Sequence, residues 1–186
     1  MNNAFIFIRH AKTLVDKSVP IEQWILTKEG EQQAQSLAQQ TVFDDVDILI
    51  SSEEQKSSLT LVPLAKKLKK EIIKNKELGE IARPHSEKLT LTEYEEMKVK
   101  VFKNLNFTAY EWETANQALA RFKKAIKKID SSYEHKTIVI CTHGTVMTLY
   151  FADLQNKLND LFSRWHGLEF GAYGIVKDNY VAKEIV

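Results

Sequence analysis

One cysteine, three prolines and six glycines are all that this 186-residue sequence holds of those residues. The lone thiol, Cys141, cannot close an internal disulfide and rules out C-x-x-C and other clustered-thiol metal patterns, so a reducing cytosol is the expected compartment. No Pro/Gly/Ser-rich run reads as an interdomain linker, and no repeat or low-complexity tract is present. Net charge is missing too. Twenty-six Lys and Arg face 25 Asp and Glu, which leaves +1 and no overall field to gather nucleic acid or an anionic membrane. No apolar run approaches the ~18 residues of a membrane span, and no basic segment precedes the short apolar run in MNNAFIFIRHAK. These absences predict one cytoplasmic, unanchored domain over residues 1–186, with neither nucleic acid nor membrane as partner. With 44% apolar residues the chain has enough material for a real core.

What is present reads as alternating strands and helices. Ala4 to Ile8, Val46 to Ile50 and Thr137 to Cys141 are short, β-branched or aromatic and nearly uncharged, the pattern of strands covered on both faces. A weaker strand is expected at Glu71 to Ile73. Helical spacing marks Gly30 to Gln39, Gln55 to Lys70, Thr92 to Leu105, Thr114 to Ile129 and Thr145 to Leu154. The tail, Phe170 to Val176 and Tyr180 to Ile185 about Lys177-Asp178-Asn179, predicts a terminal hairpin. The fold class is therefore α/β, a layered domain on a mostly parallel sheet. The stretch from 82 to 112 fits the alternation least and is expected to be an insertion over the sheet.

Reactive groups follow the three core strands: Arg9-His10-Ala11-Lys12-Thr13, Ser51-Ser52 and Thr142-His143-Gly144-Thr145. Ligands of open α/β sheets gather beyond the carboxyl ends of the strands, which predicts one pocket lined by two imidazoles, a guanidinium and hydroxyls. A zinc site needs three or four ligands, and no H-E-x-x-H grouping supplies them. A serine hydrolase would need the G-x-S-x-G elbow, which is absent. A cationic pocket with two imidazoles suits a phosphate ester: Arg9 can fork onto two oxygens, a neutral His10 can attack phosphorus, and a protonated second imidazole can stabilise the equatorial oxygens.

These residues resemble, in order and over nearly the whole chain, the histidine phosphatase superfamily, also called the phosphoglycerate mutase-like family. R-H-G-x-T stands as Arg9-His10-Ala11-Lys12-Thr13, and L-T-x-x-G-x-x-Q-A as Leu26 to Ala34 without a departure. S-S-x-x-x-R-x-x-x-T becomes Ser51 to Thr60 with Lys56 in place of Arg; L-x-E is Leu78-Gly79-Glu80. G-E-S-x(6)-R is similar to Trp112-Glu113-Thr114 with Arg121, and H-G is His143-Gly144.

The resemblance implies a three-layer α/β/α sandwich. It makes His10 the phospho-acceptor and Glu80 the proton donor, with Arg9, Lys56 and His143 forming the phosphate pocket. Thr13, Ser51 and Gly144 are further phosphate-side candidates, although capping also accounts for the two hydroxyls. Ala11 replaces a glycine, which would be strained at positive φ, and Lys56 keeps a charge while losing a planar fork; Arg83 could supply the missing fork. The expected activity is hydrolysis of a small phosphorylated metabolite, without metal or cofactor. A mutase returning the phosphoryl group to substrate, or a non-catalytic module binding a phosphorylated ligand, are the alternatives. Tyr94, Tyr110 and Trp112 could line an organic moiety, while the lysine runs at 66–70 and 123–128 read as solvated helix faces.

Overall fold

A computed structural model describes residues 2–108 and 111–186. Six strands form one sheet: β1 (Ala4–Arg9), β2 (Ile48–Ser51), β3 (Ile72–Lys74), β4 (Thr137–Thr142), β5 (Tyr173–Lys177) and β6 (Tyr180–Lys183). Their order is β3-β2-β4-β1-β5-β6. The first four run parallel, and β5 and β6 run antiparallel at one edge. Six helices accompany them: α1 (Lys28–Ala38), α2 (Gln55–Leu68), α3 (Leu91–Lys103), α4 (Ala115–Ser132), α5 (Gly144–Leu154) and α6 (Leu161–His166).

The two-residue period of the strands divides the core. Phe5 and Phe7 of β1 and Ile138 and Ile140 of β4 join buried residues of α3, α4 and α5, whereas Ile6, Ile8, Val139 and Cys141 face Leu37 of α1 and Leu61 and Leu64 of α2. The result is the expected α/β/α sandwich. Lys66, Lys67, Lys123, Lys124, Lys127 and Lys128 are exposed, as solvated helix faces should be. No described helix is long and apolar enough to cross a membrane.

Boundaries moved where polar groups intervened. β2 starts at Ile48 instead of Val46, although Asp47 still pairs with Thr137 through its amide (2.9 Å) and its carboxylate, which accepts the Thr137 N–H at 2.8 Å. β1 and β4 each extend one residue, placing Arg9 opposite Thr142. The hairpin turns through Asp178 and Asn179 at φ 50° and 63°, the left-handed pair that Asp and Asn tolerate. Of residues 170–172, expected in its first strand, Phe170 lines the pocket at the strand ends, while Gly171 and Ala172 bond to the backbone of Arg9 at 3.1 and 2.9 Å. The six residues of α6 are too few to show a period.

Candidate active site

Because β1 and β4 are parallel neighbours in matched register, the next residue on each, His10 and His143, leaves the sheet side by side. Their ring centroids are 5.1 Å apart. His10 is buried, with Nδ1 3.0 Å from the Ala11 carbonyl oxygen. A carbonyl only accepts, so Nδ1 is assigned the hydrogen and Nε2 keeps its lone pair. Thr13 lies 3.2 Å from the same Nδ1 and donates to the same carbonyl at 3.1 Å. Burial, followed by the charges of His143, Lys56 and Arg9, drives the His10 pKa well below the ordinary 6.5. The ring is neutral at pH 7.

The L-T-x-x-G block holds this loop. Thr27 caps α1 by accepting the Gly30 amide at 3.0 Å, a Cβ on Gly30 would overlap the Lys12 carbonyl oxygen, and Gln33 accepts the Lys12 amide at 2.8 Å. Ala11 has no positive φ and donates its amide to Thr60 Oγ1 at 2.9 Å, so its methyl is carried without strain.

Arg9 is fixed by a bond from its guanidinium to the Leu168 carbonyl and by Phe170, whose ring centroid is 4.1 Å away. Its Nε has no partner among the described residues. A Cβ on Gly144 would come within 3.3 Å of that Nε, so glycine permits the close approach.

Lys56 lines the cavity with its ammonium paired to the half-buried carboxylate of Glu54 and donating to the Ile21 carbonyl at 3.1 Å. Glu54 precedes α2 but does not cap it. It turns inward to accept the Glu80 amide at 3.2 Å and to face His143 Nε2 at 3.0 Å. Burial opposes the charge on Glu54, yet His143, Lys56 and Arg83 hold its pKa far below the carboxylate range. An ionised carboxylate accepts, so the His143 hydrogen is assigned to Nε2. Ser52 Oγ also lies 2.8 Å from Nε2, and Nδ1 is without a partner among the described residues. Ser51, expected at the phosphate, is fully buried with its hydroxyl donating to the Ser52 carbonyl at 2.8 Å. Alternation along β2 puts its neighbour beside His143 instead.

Glu80 is enclosed and accepts the amides of Ile81 (2.8 Å) and Thr145 (3.0 Å). Burial raises its pKa, but Lys98, Arg83, His143 and the Thr145 amide outweigh it and bring the value down to about 2. In the ligand-free protein Glu80 is therefore a carboxylate. Two cations stand behind it: Lys98, which sequence reasoning missed, and Arg121, which the motif marked without giving it a role. Lys98 of α3 is fully buried and donates to Thr145 Oγ1 at 2.6 Å. Arg121 of α4 grips Glu113 with two nitrogens (2.9 and 2.7 Å) and donates to the Glu77, Gly79 and Glu80 carbonyls at 2.7–3.2 Å. In a Lys/Glu-rich chain a lysine such as Lys98 carries no local mark of burial.

A cavity of about 720 Å³ opens above Arg9, His10, Lys56, Glu80 and Gly144, and Arg83 reaches it from the 82–112 segment. Tyr94 lines it. Trp112 is core, its Nε1 donating to the Pro84 carbonyl at 3.3 Å, and Tyr110 lies outside the described residues. Burial pushes the Cys141 thiol up, which suits its place in the sheet. Among the described residues no three His, Cys, Asp or Glu side chains group to hold a metal ion.

The family model of the histidine phosphatase superfamily (branch 1) matches residues 5–177. The chain belongs to that superfamily. Among solved structures it is similar to Bacillus stearothermophilus YhfR, with a TM-score of 0.79 at 19% identity over 98% of this chain and 96% of that one. The mycobacterial glucosyl-3-phosphoglycerate phosphatase with inorganic phosphate gives 0.77 at 14% identity over 98% and 95%. The α-ribazole phosphatase from Shigella flexneri gives 0.75 at 17% identity, also over 98% and 95%. No curated protein matches the sequence.

Proposed function

We propose that this histidine phosphatase superfamily member hydrolyses a small phosphorylated metabolite through a phosphohistidine on His10, without a metal or cofactor. The observation that carries the reading is a neutral, buried His10 whose Nδ1 is tied to a carbonyl while Nε2 is free to attack, 5.1 Å between centroids from a second imidazole. The phosphoryl group sits between Arg9 Nε and His143 Nδ1, two buried nitrogens without a partner among the described residues; the His143 ring then carries a hydrogen on both nitrogens, Nε2 held by Glu54 and Nδ1 by the phosphate, with Gly144 admitting the group and Thr13 steadying His10. Lys56 contributes charge from its slot against Glu54. Arg83 supplies the planar fork that Lys56 lacks.

In the first step the P–N bond to His10 Nε2 forms as the ester P–O bond breaks, and Glu80 gives a proton to the departing alkoxide. In the second, water attacks phosphorus as the P–N bond breaks, Glu80 takes the water's proton and passes it to the departing phosphate, and a free imidazole and an ionised Glu80 remain. Glu80 begins ionised, so its proton arrives with the substrate. A phosphomonoester has a second pKa of about 6, so its monoanion brings that proton and the bound dianion then favours protonated Glu80.

The test is a phosphomonoester panel with wild type and His10→Ala, scored for inorganic phosphate and for an acid-labile phosphoenzyme. Wild type releases phosphate in EDTA, and His10→Ala loses at least about a thousandfold in kcat. A phosphate-binding protein without phosphoenzyme, transfer between substrate positions without phosphate release, or loss of turnover in EDTA would each displace this reading. Because His10 stays neutral well into acid, kcat/KM is expected to be highest near pH 5–6 and to fall about tenfold per unit above the substrate pKa of about 6. A profile flat from pH 6 to 8 would refute the proton route.

A further inference from the structure

We infer that the natural substrate is the phosphate ester of an uncharged alcohol with a bulky apolar or aromatic body, rather than a phosphorylated amino or hydroxy acid; this rests on the phosphatase reading above. At about 720 Å³ the cavity falls in the range of pockets that enclose drug-sized ligands, and a phosphoryl group fills only its floor. Above the floor the walls are Ile21, Trp24, Leu89, Tyr94, Trp165 and Leu168. At its edge stand Val15 and Leu91, 60% and 74% exposed. Leu91 is held there by design of its helix end: Thr90 and Glu93 close a capping box about it, so the side chain cannot turn away by fraying. Two large exposed apolar groups at a cavity mouth mark a place where apolar surface is covered on binding.

The charges away from the floor point the same way. Glu95 and Glu169 line this cavity; apart from Arg83, which the phosphatase reading commits to the phosphoryl group, the basic groups beyond the floor are Lys17 and His166, and Lys17 is engaged with the Leu89 carbonyl at 3.3 Å. With Arg83 taken up by the phosphoryl group, a carboxylate on the substrate would meet two anions and no second cationic fork. The nearby aromatic rings are not free to receive a cationic body, because they already face cations of the protein. Lys98 Nζ lies 5.3 Å from the Tyr94 ring centroid and 5.6 Å from that of Trp165, and Arg9 covers Phe170. Ser86, whose buried hydroxyl has no partner among the described residues, offers this wall a neutral hydrogen bond.

The experiment compares kcat/KM for phenylpropyl phosphate, propyl phosphate and phosphoserine, all primary alkoxide leaving groups, so that intrinsic reactivity differs little. Phenylpropyl phosphate is expected to exceed each of the others by at least about tenfold, carried by KM, and Leu91→Glu is expected to shrink that ratio at least about threefold. Equal values, or preference for phosphoserine, with His10-dependent phosphate release intact would overturn the substrate assignment alone. No phosphate release from any ester and no phosphoenzyme would overturn the phosphatase reading and this inference with it.

Discussion

At the scale of single residues, the unexpected feature of the cup is an anion. Glu54 is placed where a phosphate dianion would be repelled, yet it joins three parts of the site: the Lys56 ammonium, the His143 ring and the Glu80 backbone. Its contribution is to fix the hydrogen of His143 on Nε2 and to keep Lys56 from being a buried, uncompensated charge. Glu54→Leu should therefore cost about 3–5 kcal/mol of stability, because Lys56 has a side chain only 3% exposed and would lose its partner. Replacing Lys56 by Met in the same chain should recover most of that loss in urea unfolding while kcat stays at least about tenfold down, since His143 still lacks its acceptor. A Glu54→Leu protein as stable as wild type would show that this pair does not hold the cup. Sequence alone showed His10, His143 and Arg9, because each ends a strand inside a recognisable motif. It did not show Glu54 or Lys98, because an acid or a lysine in a charged segment looks the same whether it meets solvent or another buried charge.

Among the elements, the start of α4 does two separable jobs. Thr114 closes a capping box with Gln117, and Arg121, further along the same helix, ties Glu113 to the carbonyls that precede and include Glu80. The first job concerns stability; the second concerns where the Glu80 carboxylate stands. Thr114→Ala should cost about 1 kcal/mol in urea unfolding with turnover little changed. Arg121→Met should lower kcat at least about tenfold, with KM nearly constant, because the substrate cup is intact while Glu80 loses its anchor. A fall in KM and kcat together for Thr114→Ala would mean the cap, and not Arg121, positions the acid. The helices were legible from their spacing because most are long enough for two or more turns of apolar repeat. α6 was not, and the start of β2 was misplaced because Val46 is as buried as a strand residue while Asp47 pairs outside the strand proper.

For the whole molecule, burying the reactive groups ties folding to pH. His10 has a folded pKa well below its ordinary 6.5, so below pH 6.5 the unfolded chain binds a proton that the native protein refuses. The contribution is complete above the unfolded value and is lost as pH falls, by about 1.4 kcal/mol per unit until the folded value is reached. Glu80 follows at lower pH: its pKa is depressed from 4.5 to about 2, so its share is present above 4.5 and withdrawn between those values. The pH range proposed for fastest turnover thus overlaps the range in which the fold begins to weaken, and both trends come from the same neutral imidazole. Thermal unfolding monitored by circular dichroism at pH 7, 6 and 5 separates this from general acid sensitivity. Between pH 6 and 5 wild type should lose about 3–6 °C more in Tm than His10→Asn, whose side chain does not titrate. Parallel slopes for the two proteins would mean that His10 is free to take up a proton in the folded state, and the neutral nucleophile would go with it.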